Sequence, residues 1–187
     1  MNSVRIIGGE WRRRILRFPD AEGLRPTPDR VRETLFNWLG QRLTGLSCLD
    51  LFAGTGALGF EAASRGAARV VMVERSAPVL AALQENARLL DNAGRLELIG
   101  ADAVKFATRA LPENQRFDVV FLDPPYRKNW IERITPYLPS LLSAGGQLYV
   151  EAEYPLASCG EWETVRSGRA GQVYFHLMQR GTADDAE

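Results

Sequence analysis

At 187 residues, 45% hydrophobic and 25% charged, the chain has the size and composition of one soluble globular domain with a full core. A formal net charge of zero counts against a general polyanion binder, and no run approaches the roughly 20 apolar residues that span a bilayer. The two cysteines, Cys48 in an apolar run and Cys159 in an expected loop, give neither a metal spacing nor a disulfide framework, which points to a reducing cytoplasm.

The N-terminus, "MNSVRIIGGEWRRR", has no long apolar stretch behind its charges and does not read as a secretory signal. Residues 4–18 alternate loosely around Gly8-Gly9 and predict a β-hairpin. Residues 1–32 hold eight arginines against four acids, a local balance of +4, and 21 of the 23 basic residues in the chain are arginine. Arginine suits bidentate phosphate contacts and stacking on bases; a solvated basic face fits the same pattern. "RPTPDRVRETLFNWLGQRL" predicts a helix that starts near Thr27 or Asp29, with Val31, Leu35, Trp38 and Leu39 on one face.

From there the rhythm is strand–helix alternation. "SCLDLFA" predicts a buried strand and "GALGFEAASRG" a helix closed by Gly66. "ARVVMVER" is a second strand, followed by the helix "APVLAALQENARLLDNAG", stopped by Asn92 and Gly94. "RLELIGAD" is a third strand, "AVKFATRALP" a short helix and "FDVVFLDPP" a fourth strand. "WIERITPYLPSLL" is a helix interrupted by prolines, and "GGQLYVEAE" a fifth strand. "EWETVRSGRAGQVYFHLMQR" reads as two strands joined at the "SGRAG" turn, and "GTADDAE" as a frayed acidic tail. Such units predict a mostly parallel sheet with helices on both faces, the terminal pair adding an antiparallel strand.

Chemistry concentrates at the predicted strand ends. Asp50, Gly54, Gly56 and Gly59 surround the first strand-to-helix turn, where glycines allow close backbone approach and a helix N-terminus offers free amides. Glu74 ends the next strand, where an acid can hold a ribose hydroxyl pair; a tight turn with a solvated acid is the plainer reading. Gly54, Gly56 and Gly59 meet the dinucleotide spacing, but Asp50 would repel a pyrophosphate and welcome an ammonium group. The pattern therefore favours S-adenosylmethionine over a nicotinamide cofactor. Asp102, ending the third strand, is either an acceptor for the adenine amino group or a helix N-cap.

The fourth strand ends in "DPPY". Asp123 and a rigid backbone carbonyl can take both hydrogens of an exocyclic amine. Pro124 and Pro125 fix φ without adding amide donors, and Tyr126 gives a face for a base to stack on. With this motif the chain resembles the class I S-adenosylmethionine-dependent methyltransferases that carry [D/N]-P-P-[Y/F]. Adding "RIIGGEWRRRIL", "RPTPDRVRETLFNWL", "LDLFAGTGALGFEAASRGA" and "FLDPPY", it is similar over residues 4 to about 178 to the RsmD family, which methylates a guanine N2 of small-subunit ribosomal RNA in bacteria.

That resemblance implies a Rossmann-like α/β fold with a seven-stranded, mostly parallel sheet carrying one antiparallel strand, plus a small N-terminal β-hairpin. It implies residues 1–24 as a basic hairpin extension, 25–180 as the methyltransferase domain and 181–187 as a flexible tail. Carried over by position, Asp50, Gly54 and Gly56 cradle the methionine end, with the backbone of Phe52, Ala53, Gly54 and Thr55 alongside. Glu74 holds the ribose, Arg75 is a further cofactor-binding residue, and Asp102 with Ala103 holds the adenine. Asp123, at the cofactor edge, acts with Pro124, Pro125 and Tyr126 on the target amine and base. The segment Arg25–Arg32 closes over the cofactor, bringing Thr27 and Arg32 to it. Arg5, Arg12, Arg13, Arg14, Arg17, Arg127 and Lys128 are the expected RNA contacts, with the 166–169 turn held in reserve. The implied enzyme is a cytoplasmic monomer without metal or membrane, acting on 16S ribosomal RNA or a small-subunit assembly particle.

Rival readings are an adenine-N6 methyltransferase on DNA or RNA, and a non-catalytic RNA-binding or assembly factor on the same fold. The short run from Tyr126 to the fifth strand leaves no room for a sequence-reading domain, and an intact DPPY motif counts against a non-catalytic role. A protein-glutamine methyltransferase more often has asparagine in place of Asp123. His176 reads as structural, and Trp130 as a candidate wall of the base pocket.

Overall fold

A computed structural model describes residues 1–91, 93–109 and 111–182. The helix stop assigned to Asn92 and the acidic tail beyond residue 182 lie outside the described residues. Strands β1 (Asn2–Arg5) and β2 (Ile15–Phe18) form an antiparallel pair, followed by α1 (Asp29–Trp38). Strand–helix alternation then runs β3 (Ser47–Asp50), α2 (Ala57–Ser64), β4 (Arg69–Glu74), α3 (Ala77–Leu89), β5 (Leu96–Gly100) and α4 (Ala103–Ala107). It continues through β6 (Phe117–Leu122), α5 (Trp130–Ile134), α6 (Leu138–Leu141) and β7 (Leu142–Ala152) to β8 (Ser158–Cys159), β9 (Trp162–Ala170) and β10 (Val173–Arg180).

The main sheet has the order β5-β4-β3-β6-β7-β10-β9-β8. Strands β3 to β7 are parallel and β10 runs antiparallel to both β7 and β9, as the sequence predicts. Among the described residues the count is eight rather than seven, because Ser158 and Cys159 pair with Glu163 and Trp162 to add a two-residue edge strand where a loop is expected. A second difference is at "SGRAG". Residues 166–169 are not a turn but part of β9, and Val173 pairs with Ala170 so that Gly171 and Gln172 make the connection. Gly168 stays in the strand because the Phe175 ring occupies the space of its side chain; a Cβ there would lie 2.4 Å from that ring.

The prolines of "WIERITPYLPSLL" divide it as expected. Pro136 and Pro139 each sit in the first turn of a new segment, where a missing amide donor costs nothing.

Alternation along the strands builds two core layers. Cys48, Val70, Met72, Val119, Phe121 and Tyr149 face one layer with α1, α2 and α3, while Leu49, Val71, Val73, Val120, Leu122 and Val150 face the other. The hairpin belongs to the first layer: Val4, Ile6, Trp11, Leu16 and Phe18 are buried in it. The Asn86 side chain on α3 extends the pairing, accepting from the Arg17 amide at 3.1 Å and donating to the Arg17 carbonyl at 2.9 Å.

Polar contacts lock the same interface. Glu61, fully buried on α2, accepts from the amides of Ile7 (2.9 Å) and Gly8 (2.8 Å). It also takes Arg32 Nη1 at 3.2 Å and Arg65 Nε at 3.0 Å. Removing one side of a buried pair leaves an uncompensated charge, at a cost of about 3–5 kcal/mol. Glu61→Ala, which also orphans two amides, should lower unfolding free energy by about that much; urea denaturation monitored by tryptophan fluorescence checks it.

Candidate active site

Parallel strands bring their carboxyl ends to one edge, where ligands of open α/β sheets bind. Here that edge collects Asp50 (end of β3), Glu74 (end of β4), Asp102 (after β5), Asp123 (after β6) and Glu151 (near the end of β7). The glycine turn follows β3. Gly56 has φ +81°, a left-handed conformation that releases the chain into α2. Gly59 is needed for packing, since a Cβ would lie 2.4 Å from the Met72 sulfur.

Asp50 is buried; its Oδ2 accepts from the Gly59 amide at 3.1 Å, while Oδ1 has no partner among the described residues. Burial pushes its carboxyl up to about 7; the Gly59 amide and, more weakly, the Phe52 amide, which is too poorly placed to make a full hydrogen bond, oppose this, and the charges of Glu74 and Glu151 add to it. An orphaned carboxylate oxygen beside a glycine turn suits a ligand ammonium group. Glu74 closes the same turn from the next strand. Its Oε2 accepts from the Gly54 amide at 3.0 Å and its Oε1 from the Ser76 amide at 2.8 Å. Ala53 and Thr55 are buried in the turn. Phe52 packs edge-on against Trp130 with ring centroids 5.3 Å apart.

Asp102 caps α4, accepting from the amides of Val104 (2.9 Å) and Lys105 (3.2 Å) through Oδ1, with Ala103 buried beside it. Both expectations for this residue remain compatible, because Oδ2 is not used in the cap. Trp130 lies beside the glycine turn through Phe52, flanked by the guanidinium groups of Arg133 (4.1 Å to its centroid) and Arg75 (5.8 Å). The Tyr126 ring is 41% exposed beyond Pro124 and Pro125, leaving a face open for stacking. Arg127 and Asn129 have φ of +64° and +51°, so the loop that presents Tyr126 turns sharply back to α5. Arg127 and Lys128 are exposed, as are Arg5, Arg12, Arg13, Arg14 and Arg17.

Two residues carried to the cofactor part company. The Thr27 hydroxyl lies at the DPPY edge, donating to Glu151 Oε1 at 3.0 Å and standing 3.5 Å from Asp123 Oδ2. Arg32 does not offer a guanidinium to a ligand. It is completely buried, with Nε on the Thr27 carbonyl, Nη1 on the Arg5 carbonyl and Glu61, and Nη2 on Asp29. It braces the wall behind Thr27. His176 is structural as expected: its Nε2 accepts from the Leu156 amide at 3.0 Å, so Nδ1 carries the proton and donates to the Val150 carbonyl at 3.1 Å.

Glu151 and Tyr149 escaped the sequence reading. Tyr149 OH donates to Glu151 Oε1 at 2.9 Å, and both are buried. The available signal is parity: in "GGQLYVEAE" Glu151 shares the face of Tyr149, pointing inward where an apolar residue is the rule. Among the described residues, no group of three or more acids, histidines or cysteines is arranged to hold a metal, and no helix is long and apolar enough to cross a membrane.

The chain is similar to known proteins over nearly its whole length. The family described as conserved hypothetical protein 95 matches residues 4–179. The chain is 41% identical to the ribosomal RNA small subunit methyltransferase D of Escherichia coli over 98% of its own length and 93% of the relative's. The chain belongs to the RsmD family. The Haemophilus influenzae member is 42% identical over 94% of this chain and 93% of its own. The solved structure of yhhF from Escherichia coli superposes with a TM-score of 0.85 at 40% identity, covering 97% of this chain and 99% of that one. An RNA methyltransferase from Salinibacter ruber, solved with S-adenosyl-L-homocysteine, shares the fold at TM-score 0.66 and 19% identity, covering 87% and 99%. This RsmD-family chain is thus a class I methyltransferase whose methyl donor is S-adenosylmethionine. The orphaned Asp50 oxygen fits that donor's amino group.

A carboxyl held above its ordinary value stabilises the fold below pH about 4, where folded and unfolded forms are both protonated; that stability is lost as pH rises toward the folded value. For Asp50 the window runs from about 4 to about 7 and amounts to roughly 2–4 kcal/mol. Asp50→Asn, which can still accept from Gly59, should remove that part of the loss. Urea unfolding of the ligand-free protein at pH 5 and pH 8 should show a smaller difference in the variant.

Proposed function

We propose that the chain transfers a methyl group from S-adenosylmethionine to the exocyclic N2 of a guanine in small-subunit ribosomal RNA, as a cytoplasmic monomer. One observation carries the reading: Asp123 and the rigid Pro124–Pro125 pair stand one strand from the Asp50–Gly56 turn, with the exposed Tyr126 ring beyond. The names of the RsmD-family relatives support ribosomal RNA as the substrate. The guanine N2 follows from the family resemblance and from the amine-binding shape of the motif.

In this reading Asp50 takes the donor's amino group, Glu74 the ribose hydroxyls, and Asp102 with Ala103 the adenine. Arg75 lines the ribose side from its seat over Trp130. Asp123 and the Pro124 carbonyl each accept one hydrogen of the target amine, aiming its lone pair at the methyl, while Tyr126 stacks on the base. Rate then comes from in-line positioning. The bound donor supplies an electrophilic methyl on a sulfonium, and its positive charge suits an edge rich in carboxylates.

The test is mass mapping of 16S ribosomal RNA nucleosides from cells with and without the gene. Loss of one N2-methylguanosine supports the reading; loss of an N6-methyladenosine instead replaces it with the adenine alternative. For the purified protein, Asp123→Ala should abolish tritiated-methyl transfer while donor affinity, read by calorimetry, stays within about threefold, since Asp123 faces the amine.

The basic hairpin is the proposed RNA-docking surface, with Arg127 and Lys128 near the target base. Arg12, Arg13 and Arg14 are exposed, although Arg14 Nη2 also donates to the Leu89 carbonyl at 2.7 Å. Replacing all three with alanine should weaken binding of a 16S fragment. It should also reduce the slope of log affinity against log salt by about 0.7–0.9 for each phosphate no longer neutralised. Unchanged affinity and slope would leave the hairpin as a solvated face.

A further inference from the structure

The carboxylates at the sheet edge are more numerous than amine binding requires. Parallel pairing of Leu122 with Val150 sets the next residue of each strand, Asp123 and Glu151, side by side on the face that carries Phe121 and Tyr149. Glu151 Oε1 accepts two hydroxyls, from Tyr149 at 2.9 Å and from Thr27 at 3.0 Å, and the Thr27 hydroxyl also stands 3.5 Å from Asp123 Oδ2. Thr27, Tyr149 and Glu151 are all buried, and none of the ion pairs formed among the described residues involves Asp50, Asp123 or Glu151.

Two neighbouring carboxylates, Glu151 buried and Asp123 half-buried, with no cation paired to either among the described residues, do not readily both ionise; they share a proton. Its location follows from the donors. Burial raises both carboxyls; at Glu151 the Tyr149 and Thr27 hydroxyls oppose it and favour the charged form, while at Asp123 burial, then the charges of Glu151 and Asp50, hold the carboxyl well above its ordinary range. That asymmetry favours Asp123 as the holder of the shared proton and Glu151 as its acceptor. A carboxyl that donates through one oxygen still accepts through the other, so Asp123 in this state can take an amine N–H.

We propose that Glu151 is the terminal proton acceptor for amine methylation, acting through Asp123, with Thr27 and Tyr149 as the hydroxyls that keep it ionised. This rests on the reading of Asp123 as the amine-holding residue. As the amine lone pair forms the N–C bond, the methyl–sulfur bond breaks with its electron pair left on sulfur. The nitrogen gives its proton to the accepting oxygen of Asp123, and the proton already on Asp123 passes to Glu151. Both carboxyls are then neutral, and one proton returns to solvent after product leaves. Glu151 is thus a positioning and relay residue that does not touch the base.

The groups facing this pair are Asp50 from β3, with Glu74 behind it across the glycine turn, Tyr149 on β7, and Thr27 from the segment before α1. Tyr126 and Glu153 lie on the solvent side. His176, opposite Val150 on β10, is engaged with backbone and faces the other layer.

Glu151→Gln keeps an oxygen for both hydroxyls but can neither carry charge nor accept the proton. The variant should fold and bind S-adenosylmethionine within about threefold of wild type, and transfer methyl about 10–100-fold more slowly at pH 7 in single-turnover assays. A second readout needs neither cofactor nor RNA. Without the Glu151 charge Asp123 loses its proton at lower pH, so the stability lost by the ligand-free protein between pH 5 and pH 8 should shrink. Tyr149→Phe, which removes one donor to Glu151, should slow transfer by a smaller factor with donor affinity unchanged. A wild-type rate in Glu151→Gln overturns the relay, as does a slow variant whose pH dependence of stability matches wild type. Full activity in Asp123→Ala instead overturns the amine-clamp reading, and the relay with it.

Discussion

A single buried carboxylate organises the half of the molecule that carries the site. Glu61 sits on α2, a helix with every residue buried, and an unpaired charge there would be prohibitive. Arg65, one turn further along, pairs with one of the Glu61 oxygens; the hairpin brings the Ile7 and Gly8 amides to Glu61 and α1 brings Arg32. Once Arg32 is committed, its Nε fixes the Thr27 carbonyl at 3.0 Å, and Thr27 in turn presents its hydroxyl to Glu151 and Asp123. An ion pair in the helical layer therefore sets the position of a side chain at the DPPY edge of the sheet. For the same reason the basic N-terminus is no loose appendage: its arginine side chains face solvent while its apolar residues complete a core layer.

The sheet edge obeys the opposite rule. Asp50 and Glu151 are buried and Asp123 is half-buried, no ion pair among the described residues involves them, and burial is the first cause of the raised carboxyl of each. Such an arrangement costs stability in the empty protein, as functional sites commonly do. A donor carrying a sulfonium and an amino group offsets that cost on binding. The acid-rich edge thereby favours a cationic cofactor over a phosphate-bearing one, although the glycine turn has the spacing used by both.

Much of this was written in the sequence. Hydrophobic alternation, glycine stops and proline breaks located the strands and helices, because strand and helix periods act over a few neighbouring residues. The order of elements fixed a mostly parallel sheet, since a strand–helix–strand unit closes in one hand. That topology alone places Asp50, Glu74, Asp102 and Asp123 along one edge, so the site could be drafted from strand ends. The tight loop after Asp123 was legible for the same local reason, in the φ constraint of Pro124 and Pro125.

What tertiary structure decided was the partner of each polar side chain. Arg32 looked like a free cation near the cofactor, yet folding sealed it against Glu61, 29 positions away. Gly168 read as a turn, but its missing side chain is room for Phe175. Glu151 was one acid among many until strand register set it beside Asp123 and the segment before α1 brought Thr27 from 124 positions away. Local sequence carries backbone preference and the side of a strand a residue faces. The protonation and role of a buried acid depend on which distant groups arrive beside it, and that is settled only when the layers pack.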